Sequence, residues 1–331
     1  MADRPIRTRT RAVADGLLIA LFLAAISLPL ADRMIGLDTS PELTEKRRLA
    51  QAPEMSPRWS ALAALPAQVT AFWNDTFGFR PLLIRLYNRS MTRLGVSPSK
   101  SVIIGKRGWF FYAEEGSIDY YRGTRPFSHT DLVRWQQVLE ARRDWLADRG
   151  IRYLFVIAPD KETIFPEYMP SRITRPGKTT RLDQLIAHLR MYSDIEILDL
   201  RQTLRDAKGA DPIYHLTDTH WSDLGAFVAY REIMQQVAGW LPTGNPAPLS
   251  SFEPHRYSSS GDLAGMLSMN GTLVEDWLDL VPRTPRRAHP QGAVSPGYGE
   301  SWVQDTDDPS LPSAVMLHDS FGLNLVRLVA E

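Results

Sequence analysis

The chain contains no cysteine in its 331 residues. That absence removes disulfides, thiolate nucleophiles and cysteine-based zinc sites together, and it is compatible with an oxidising compartment. Net charge is missing too: 38 lysines and arginines balance 38 aspartates and glutamates, so no strong field draws the protein to nucleic acid. No internal repeat is visible. What remains is ordinary for a globular protein, with 44% apolar and 23% charged residues. The length suits one large domain or two small ones with a proper core. Nine tryptophans, eleven tyrosines and twelve phenylalanines are a generous supply. Sugar clefts use aromatic faces, but cores use them more; Trp109, Phe110 and Tyr112 fit a hairpin core better than a cleft.

The N-terminus carries the clearest compositional signal. Arg4, Arg7, Arg9 and Arg11 precede an apolar run over residues 16–31, with Asp15 at its inner edge. Crossing the hydrocarbon core takes roughly 20 residues, a length reached by including residues 12–14. The arginines place the N-terminus in the cytoplasm and the remainder outside. Pro29 and Ala31 make a poor cleavage site, which favours an uncleaved anchor over a removed signal peptide.

Residues 32–58 are polar and proline-punctuated, as expected of a juxtamembrane linker. A helical stretch follows over 59–94, broken near 77–80. Residues 102–112 (VIIGKRGWFFY) predict two short strands in a hairpin. A helix over 131–149 stops at Gly150. The pattern then becomes α/β: continuous apolar strands at 152–159, 195–200 and 314–317, and helices at 179–191 and 222–241. Such alternation argues for a parallel sheet covered by helices. Residues 242–312, rich in proline, glycine and serine, are expected to be an irregular insertion. Phe321, Leu325, Leu328 and Val329 begin a helical period that stops at Glu331, which suggests a truncated chain. The expected organisation is thus an anchor over 1–31, a linker and helical lead-in over 32–100, and an α/β domain over 101–331.

Two segments carry chemistry. In YHLTDTHWS (214–222), Ser222 is a plausible N-cap. His220 would lie just before a helix N-terminus, whose positive end favours the neutral imidazole. Asp218, two residues earlier in an extended segment, projects on the same side and can accept the Nδ1 proton, leaving Nε2 to deprotonate a hydroxyl. Alone, a D-x-H is as easily a turn carboxylate beside a packed ring. In VMLHDSFG (315–322), an apolar strand running into a helix puts Ser320 at the carboxyl end of a parallel strand, where ligands bind in open α/β sheets. A base can activate such a serine, and amides at the helix start can stabilise an oxyanion. An ordinary helix cap reads the same way. His215 and His220 are five apart, not the four that align on a helix face, so no metal site is expected. Asp160 and Lys161 follow a strand, where they either touch substrate or pair with each other. His129, His188, His255 and His289 fit surface or loop positions.

Together with EKRRLAQAP (45–53), NDTFGFR (74–80), GKRGWFFY (105–112) and IAPDKETIFPEYMP (157–170), the DTHW and HDSFG blocks resemble the alginate O-acetyltransferase AlgJ/AlgX-like family of SGNH-like proteins. In that family the D-x-H precedes the serine, as here. The resemblance implies a three-layer, flavodoxin-like α/β domain behind an N-terminal membrane anchor. It implies Ser320 as nucleophile, His220 as general base and Asp218 as its orienting carboxylate. Lys161, Trp221 and Asn324 become candidate substrate contacts, and no cofactor or metal is called for. The activity implied is transfer of acetyl groups to an exported polysaccharide, beside a membrane-bound acyltransferase that supplies them, on the periplasmic side of the inner membrane. Two departures stand out: His318 replaces the usual glycine of the SGNH serine block, and no Gly-x-Asn-Asp block supplies an oxyanion asparagine. An acetylesterase using the same triad, and a non-catalytic polysaccharide-binding subunit, remain open alternatives.

This reading predicts that protease added to spheroplasts digests everything beyond about residue 40. Protection of that part until the cells are lysed would contradict the placement.

Overall fold

The computed structural model describes residues 5–41, 43, 48–53, 57–241, 244–290, 303–306 and 308–330. The chain divides into two compact units, Met1–Pro98 and Ser99–Glu331.

The first unit is helical, with α1 at Pro5–Ile35, α2 at Trp59–Thr76 and α3 at Arg80–Arg93. Within α1, Arg11–Ile35 is long and apolar enough to cross a membrane, at a mean hydropathy of 2.2, and of its residues Asp32 alone is buried. The helix takes in Arg7, Arg9 and Arg11; Arg4 and residues 44–47 lie outside the described residues. The expected break at 77–80 falls between α2 and α3. Gly78 closes against α1 so tightly that a Cβ there would stand 2.1 Å from the Pro29 carbonyl oxygen, and Phe79 takes left-handed angles with φ 59°. The Asp32 carboxylate accepts the Phe79 N–H at 2.7 Å and the Asp38 N–H at 2.5 Å. A carboxylate thus caps the start of α3 from another helix.

The second unit opens with a hairpin of β1 (Val102–Ile104) and β2 (Phe110–Tyr112), pairing Val102 with Tyr112. Trp109, Phe110 and Phe111 are buried, so these rings serve the core. There follow α4 (Ser117–Arg122), α5 (His129–Ala147), β3 (Phe155–Ile157), α6 (Lys161–Ile164), α7 (Arg181–Tyr192), β4 (Ile197–Asp199), α8 (Arg201–Asp206) and α9 (Asp223–Ala238). Capping boxes start α5 (Ser128 with Asp131) and α7 (Thr180 with Asp183), each satisfying two otherwise unpaired groups. β3 and β4 pair in parallel, Phe155 opposite Ile197.

Three expectations need correction. Strand 314–317 runs without a ladder partner among the described residues, and Val315 and Leu317 are 90% and 95% exposed. An apolar run records a preference for burial, whereas pairing requires an open edge within reach. Only two parallel strands therefore form where three were expected, and a three-layer sheet is not seen among the described residues. The expected irregular insertion holds the longest strands among the described residues: β5 (Phe252–Ser259) and β6 (Glu275–Pro282) are antiparallel from Phe252–Pro282 to Ser259–Glu275 and flank α10 (Asp262–Met266). Leu278 and Leu280 point from β6 into the core. β7 (Ala288–Pro290) pairs with β8 (Gln304–Thr306), while 242–243, 291–302 and 307 lie outside the described residues. His188, expected at the surface, is buried on α7 and bonded to Gln136 at 2.8 Å.

The chain ends in α11 (Gly322–Val329), whose Leu325 and Leu328 join Ile213, Tyr214, Trp221, Phe227 and Phe321 in the main core. α9 enters this core through Gly225, where a Cβ would lie 2.1 Å from the Ile213 carbonyl oxygen. Gly225→Ala is expected to lower stability by about 1–3 kcal/mol, the usual penalty of overpacking, read as a fall in denaturant midpoint. An unchanged midpoint would contradict this packing.

Candidate active site

Residues 214–221 form a loop pinched at its base. Tyr214 and Trp221 make a single antiparallel bridge. The His215 N–H donates to the His220 carbonyl at 3.3 Å, and the Ser222 N–H to Ile213 at 3.0 Å. Ser222 then caps α9, its hydroxyl accepting the Gly225 N–H at 3.3 Å. The segment is a bent loop and not the extended run expected, so alternation along a strand is not what brings Asp218 to His220. The pair forms locally. Asp218 Oδ1 accepts both the backbone N–H of His220 at 2.9 Å and its Nδ1–H at 2.7 Å. That bond fixes the tautomer and leaves Nε2 as the basic nitrogen.

Three groups from distant parts of the chain hold the loop, one buried (Lys161) and two half-buried (Glu275 and Asp262). Lys161 Nζ donates to the carbonyls of His215, Leu216 and Asp218 at 2.9, 3.2 and 2.6 Å. The Glu275 carboxylate accepts the N–H groups of Leu216 and Thr217 at 2.6 and 2.7 Å, and the Thr217 hydroxyl. Asp262 donates its N–H to Asp218 Oδ2 at 2.8 Å and accepts the Thr219 N–H at 2.8 Å. Gly261 lets this second chain approach, since a Cβ there would stand 2.4 Å from the Asp218 nitrogen. His215 stacks on Trp277 at 3.9 Å. Asp262 and Glu275 hold the candidate site and were not singled out from the sequence. Their only local signal is the glycine before Asp262, which marks a close approach without saying to what.

Charges follow from this geometry. Burial works against ionisation of Asp218, but the hydrogen bonds from His220 and Asp262 prevail and hold its carboxyl well below the usual range. For His220, burial again opposes the charge, and the Asp218 hydrogen bond and the nearby carboxylates of Asp262 and Asp319 prevail, raising its pKa. The start of α9 was expected to favour neutral imidazole, whereas the Asp218 hydrogen bond and these carboxylates favour the charged ring. Burial pulls Lys161 down to about 8, which leaves an ammonium at neutral pH. Asp160, at the end of β3, is pushed up to about 6 by burial and by the charges of Asp319 and Glu115. It lines a cleft beside the loop together with Tyr112, Ser117, Glu162 and Thr219.

Ser320 lies half-buried in the turn that leads into α11. Its neighbour Phe321 packs edge-on against the His220 ring at 5.0 Å and against Trp221 at 5.0 Å. The Trp221 indole N–H donates to the Phe321 carbonyl at 3.2 Å. The structure therefore brings the serine turn onto the histidine, although among the described residues no hydrogen bond joins Ser320 Oγ to His220. Hydrogen bonds of this kind often tighten only when substrate is present. Asp319 accepts the Phe321 N–H at 3.0 Å and shapes the turn.

The three expected substrate contacts have other duties. Lys161 is 2% exposed with its ammonium directed to the loop carbonyls, and Trp221 is 1% exposed in the core. Asn324 donates its amide to Asp223 at 2.8 Å, tying α11 to α9. Asp218, His220 and Asp262 offer atoms within 4.8 Å of one another, close enough to hold a cation. Each of these carboxylate oxygens, however, already accepts a hydrogen bond, and a cation would have to displace those donors.

A family model described as an SGNH hydrolase-like domain, acetyltransferase AlgX, matches residues 102–295, and the chain belongs to that family. The matched span includes Lys161, Asp218, His220 and Trp221, and ends before Ser320 and Asn324. The chain is 24% identical over 226 residues to the "Probable alginate O-acetylase AlgJ" of Pseudomonas aeruginosa, covering 67% of this chain and 56% of the relative. It is 24% identical over 236 residues to the protein of the same description from Pseudomonas syringae pv. tomato, covering 71% and 58%. The chain spans about half the length of the curated relatives it matches. Among solved structures, the O-acetyltransferase domain of Pseudomonas putida AlgJ superposes with a TM-score of 0.40 at 21% identity, covering 57% of this chain and 67% of that one.

The hydrogen bond to Asp218 sets the protonation of His220, which gives a direct check. The imidazole resonances of His220 are expected to titrate above the usual histidine range. In Asp218→Asn the midpoint is expected to fall, because burial then acts with its main opponent removed. An unmoved midpoint in the variant would show that the carboxylate does not govern the ring.

Proposed function

We propose that this chain is a serine O-acetyltransferase that moves acetyl groups onto hydroxyls of an exported polysaccharide. The observation that carries the reading is the Asp218–His220 bond of 2.7 Å in a loop against which the Ser320 turn packs through Phe321. Membership of a family described by an acetyltransferase, and relatives named as alginate O-acetylases, support the choice of transfer and of polysaccharide.

In this mechanism Ser320 Oγ attacks the acetyl carbonyl of a donor ester while His220 Nε2 takes the hydroxyl proton. The tetrahedral intermediate collapses, the proton passes to the leaving oxygen, and acetyl-Ser320 remains. A sugar hydroxyl then gives its proton to His220 and attacks the acetyl carbon; its collapse restores Ser320 and releases the acetylated sugar. Asp218 stays ionised throughout and steadies the imidazolium. At the start of α11 the Asn324 amide donates to Asp223 and the N–H groups of Phe321, Gly322 and Leu323 donate to Asp319 and Ser320, so an oxyanion at this turn would have to draw one of these donors away. α1 serves as a single-pass anchor in the inner membrane, holding the second unit in the periplasm beside a membrane-bound acyltransferase that supplies acetyl groups.

With an activated acetyl ester, the wild-type chain is expected to show a burst of leaving group. Ser320→Ala should abolish it and lower turnover by about four to six orders of magnitude; His220→Ala should cost about as much, and the double variant barely more. Turnover should also fall as the pH drops through the raised pKa of His220, since the base must be neutral. An oligosaccharide acceptor should speed release of the leaving group and itself be acetylated. Accumulation of free acetate with no effect of acceptor would make the protein an esterase, and full activity in Ser320→Ala would end the triad assignment.

A further inference from the structure

α2 buries none of its residues, yet its apolar side chains are ordered. Trp59, Leu62, Val69 and Trp73 are 87%, 45%, 49% and 45% exposed. They stand at i, i+3, i+10 and i+14, which a 3.6-residue period gathers into one stripe of the helix face. A tryptophan marks each end of the stripe, and no charged residue occurs in α2 before Asp75. α3 extends the surface: Leu82, Leu83, Leu86 and Tyr87 are all exposed. Its charged residues, Arg80, Arg85, Arg89 and Arg93, are all basic. Arg89 and Arg93 are exposed and lie seven and eleven positions beyond Leu82, on the same face as Leu82 and Leu86.

The corner between these helices is fixed to the outer end of α1. Besides the Asp32 cap and the Gly78–Pro29 contact, the Arg33 guanidinium donates to the Thr76 carbonyl at 2.9 Å and lies over the Phe72 ring at 4.9 Å. The end of α2 and the start of α3 therefore sit level with residues 29–33, where the membrane-crossing segment Arg11–Ile35 approaches its end.

We propose that α2 and α3 lie in the membrane interface, with the Trp59–Trp73 stripe sunk at the boundary of headgroups and acyl chains and with Arg89 and Arg93 against anionic headgroups. The inference rests on the reading of α1 as a membrane span. Tryptophan at both ends of an apolar stripe suits the headgroup level, and a helix with an apolar face and arginines suits an anionic lipid surface. A second copy of the chain is a poorer occupant, because α3 has no acid and its arginines would meet arginines.

The absence of cysteine makes the test direct. Single spin labels are placed through Leu62→Cys, Val69→Cys and Leu86→Cys in the full chain. Leu21→Cys in α1 and Gln68→Cys on the opposite face of α2 serve as references. In phosphatidylethanolamine–phosphatidylglycerol nanodiscs, positions 62, 69 and 86 should collide with oxygen in preference to a water-soluble nickel chelate, as position 21 does, while position 68 favours nickel. Nickel-favoured collisions at 62 and 69 with oxygen-favoured collisions at 21 would overturn the inference and leave the anchor standing. A nickel-favoured position 21 would overturn the anchor itself. Shielding of 62 and 69 from both agents would mean a protein covers the stripe, and would overturn the lipid assignment. The paired Arg89→Glu and Arg93→Glu changes, or discs of phosphatidylcholine alone, should lower the oxygen-to-nickel ratio at position 86 several-fold. No change in either case would remove the headgroup contact.

Discussion

A lysine ammonium buried beneath the D-T-H loop supports most of what this structure can do. Lys161 is the first residue of α6, and its Nζ reaches the carbonyls of His215, Leu216 and Asp218 while lying 5.6 and 5.5 Å from the centres of the Trp109 and Phe111 rings. Burying a cation costs several kcal/mol. Here the carbonyls, the ring faces and the surrounding carboxylates offset the cost sufficiently to leave Lys161 charged at neutral pH. Without it, loop carbonyls would be left buried and unpaired at about 1–3 kcal/mol each. One side chain thus joins the β1–β2 hairpin, the start of α6 and the D-T-H loop, and the loop's geometry depends on that junction more than on any strand.

Once the loop is fixed, the acid–histidine pair needs little further help. Asp218 binds the backbone and the side chain of the same histidine, so the backbone N–H holds in place the carboxylate whose bond to Nδ1–H fixes the ring. Glu275 and Asp262 hold the loop from β6 and α10, and Phe321 closes over the ring from the serine turn. The acidic surroundings raise the affinity of His220 for protons. They thereby favour the imidazolium that a hydroxyl nucleophile would create.

The sequence was most legible where a local rule decides the outcome. Ser222 stands at a helix start because its side-chain oxygen satisfies a nearby N–H, and the β1–β2 hairpin follows from apolar runs around a glycine-containing turn. Asp218, His220 and Ser320 stand out as candidates because they sit in short motifs; the structure bonds the first two and packs the serine turn against the ring. Lys161 was misassigned because a lysine after a strand suggests an exposed contact, and only the folded chain shows the carbonyls that draw it inward. Asp262 and Glu275 act across 44 and 59 positions in sequence, a separation that no local pattern encodes. β5 and β6 were hidden because proline and charges interrupt their alternation, leaving only Phe252, Leu278 and Leu280 to face the core.

The central claim is that His220, oriented by Asp218, makes Ser320 an acceptor of an acetyl group. Brief incubation with an activated acetyl ester, acid quenching and peptide mapping by mass spectrometry tests it most directly. The account predicts one acetyl group on Ser320, lost when oligosaccharide is added before the quench and absent in His220→Ala. Acetyl found only elsewhere in the chain, or on Ser320 equally in His220→Ala, would contradict it.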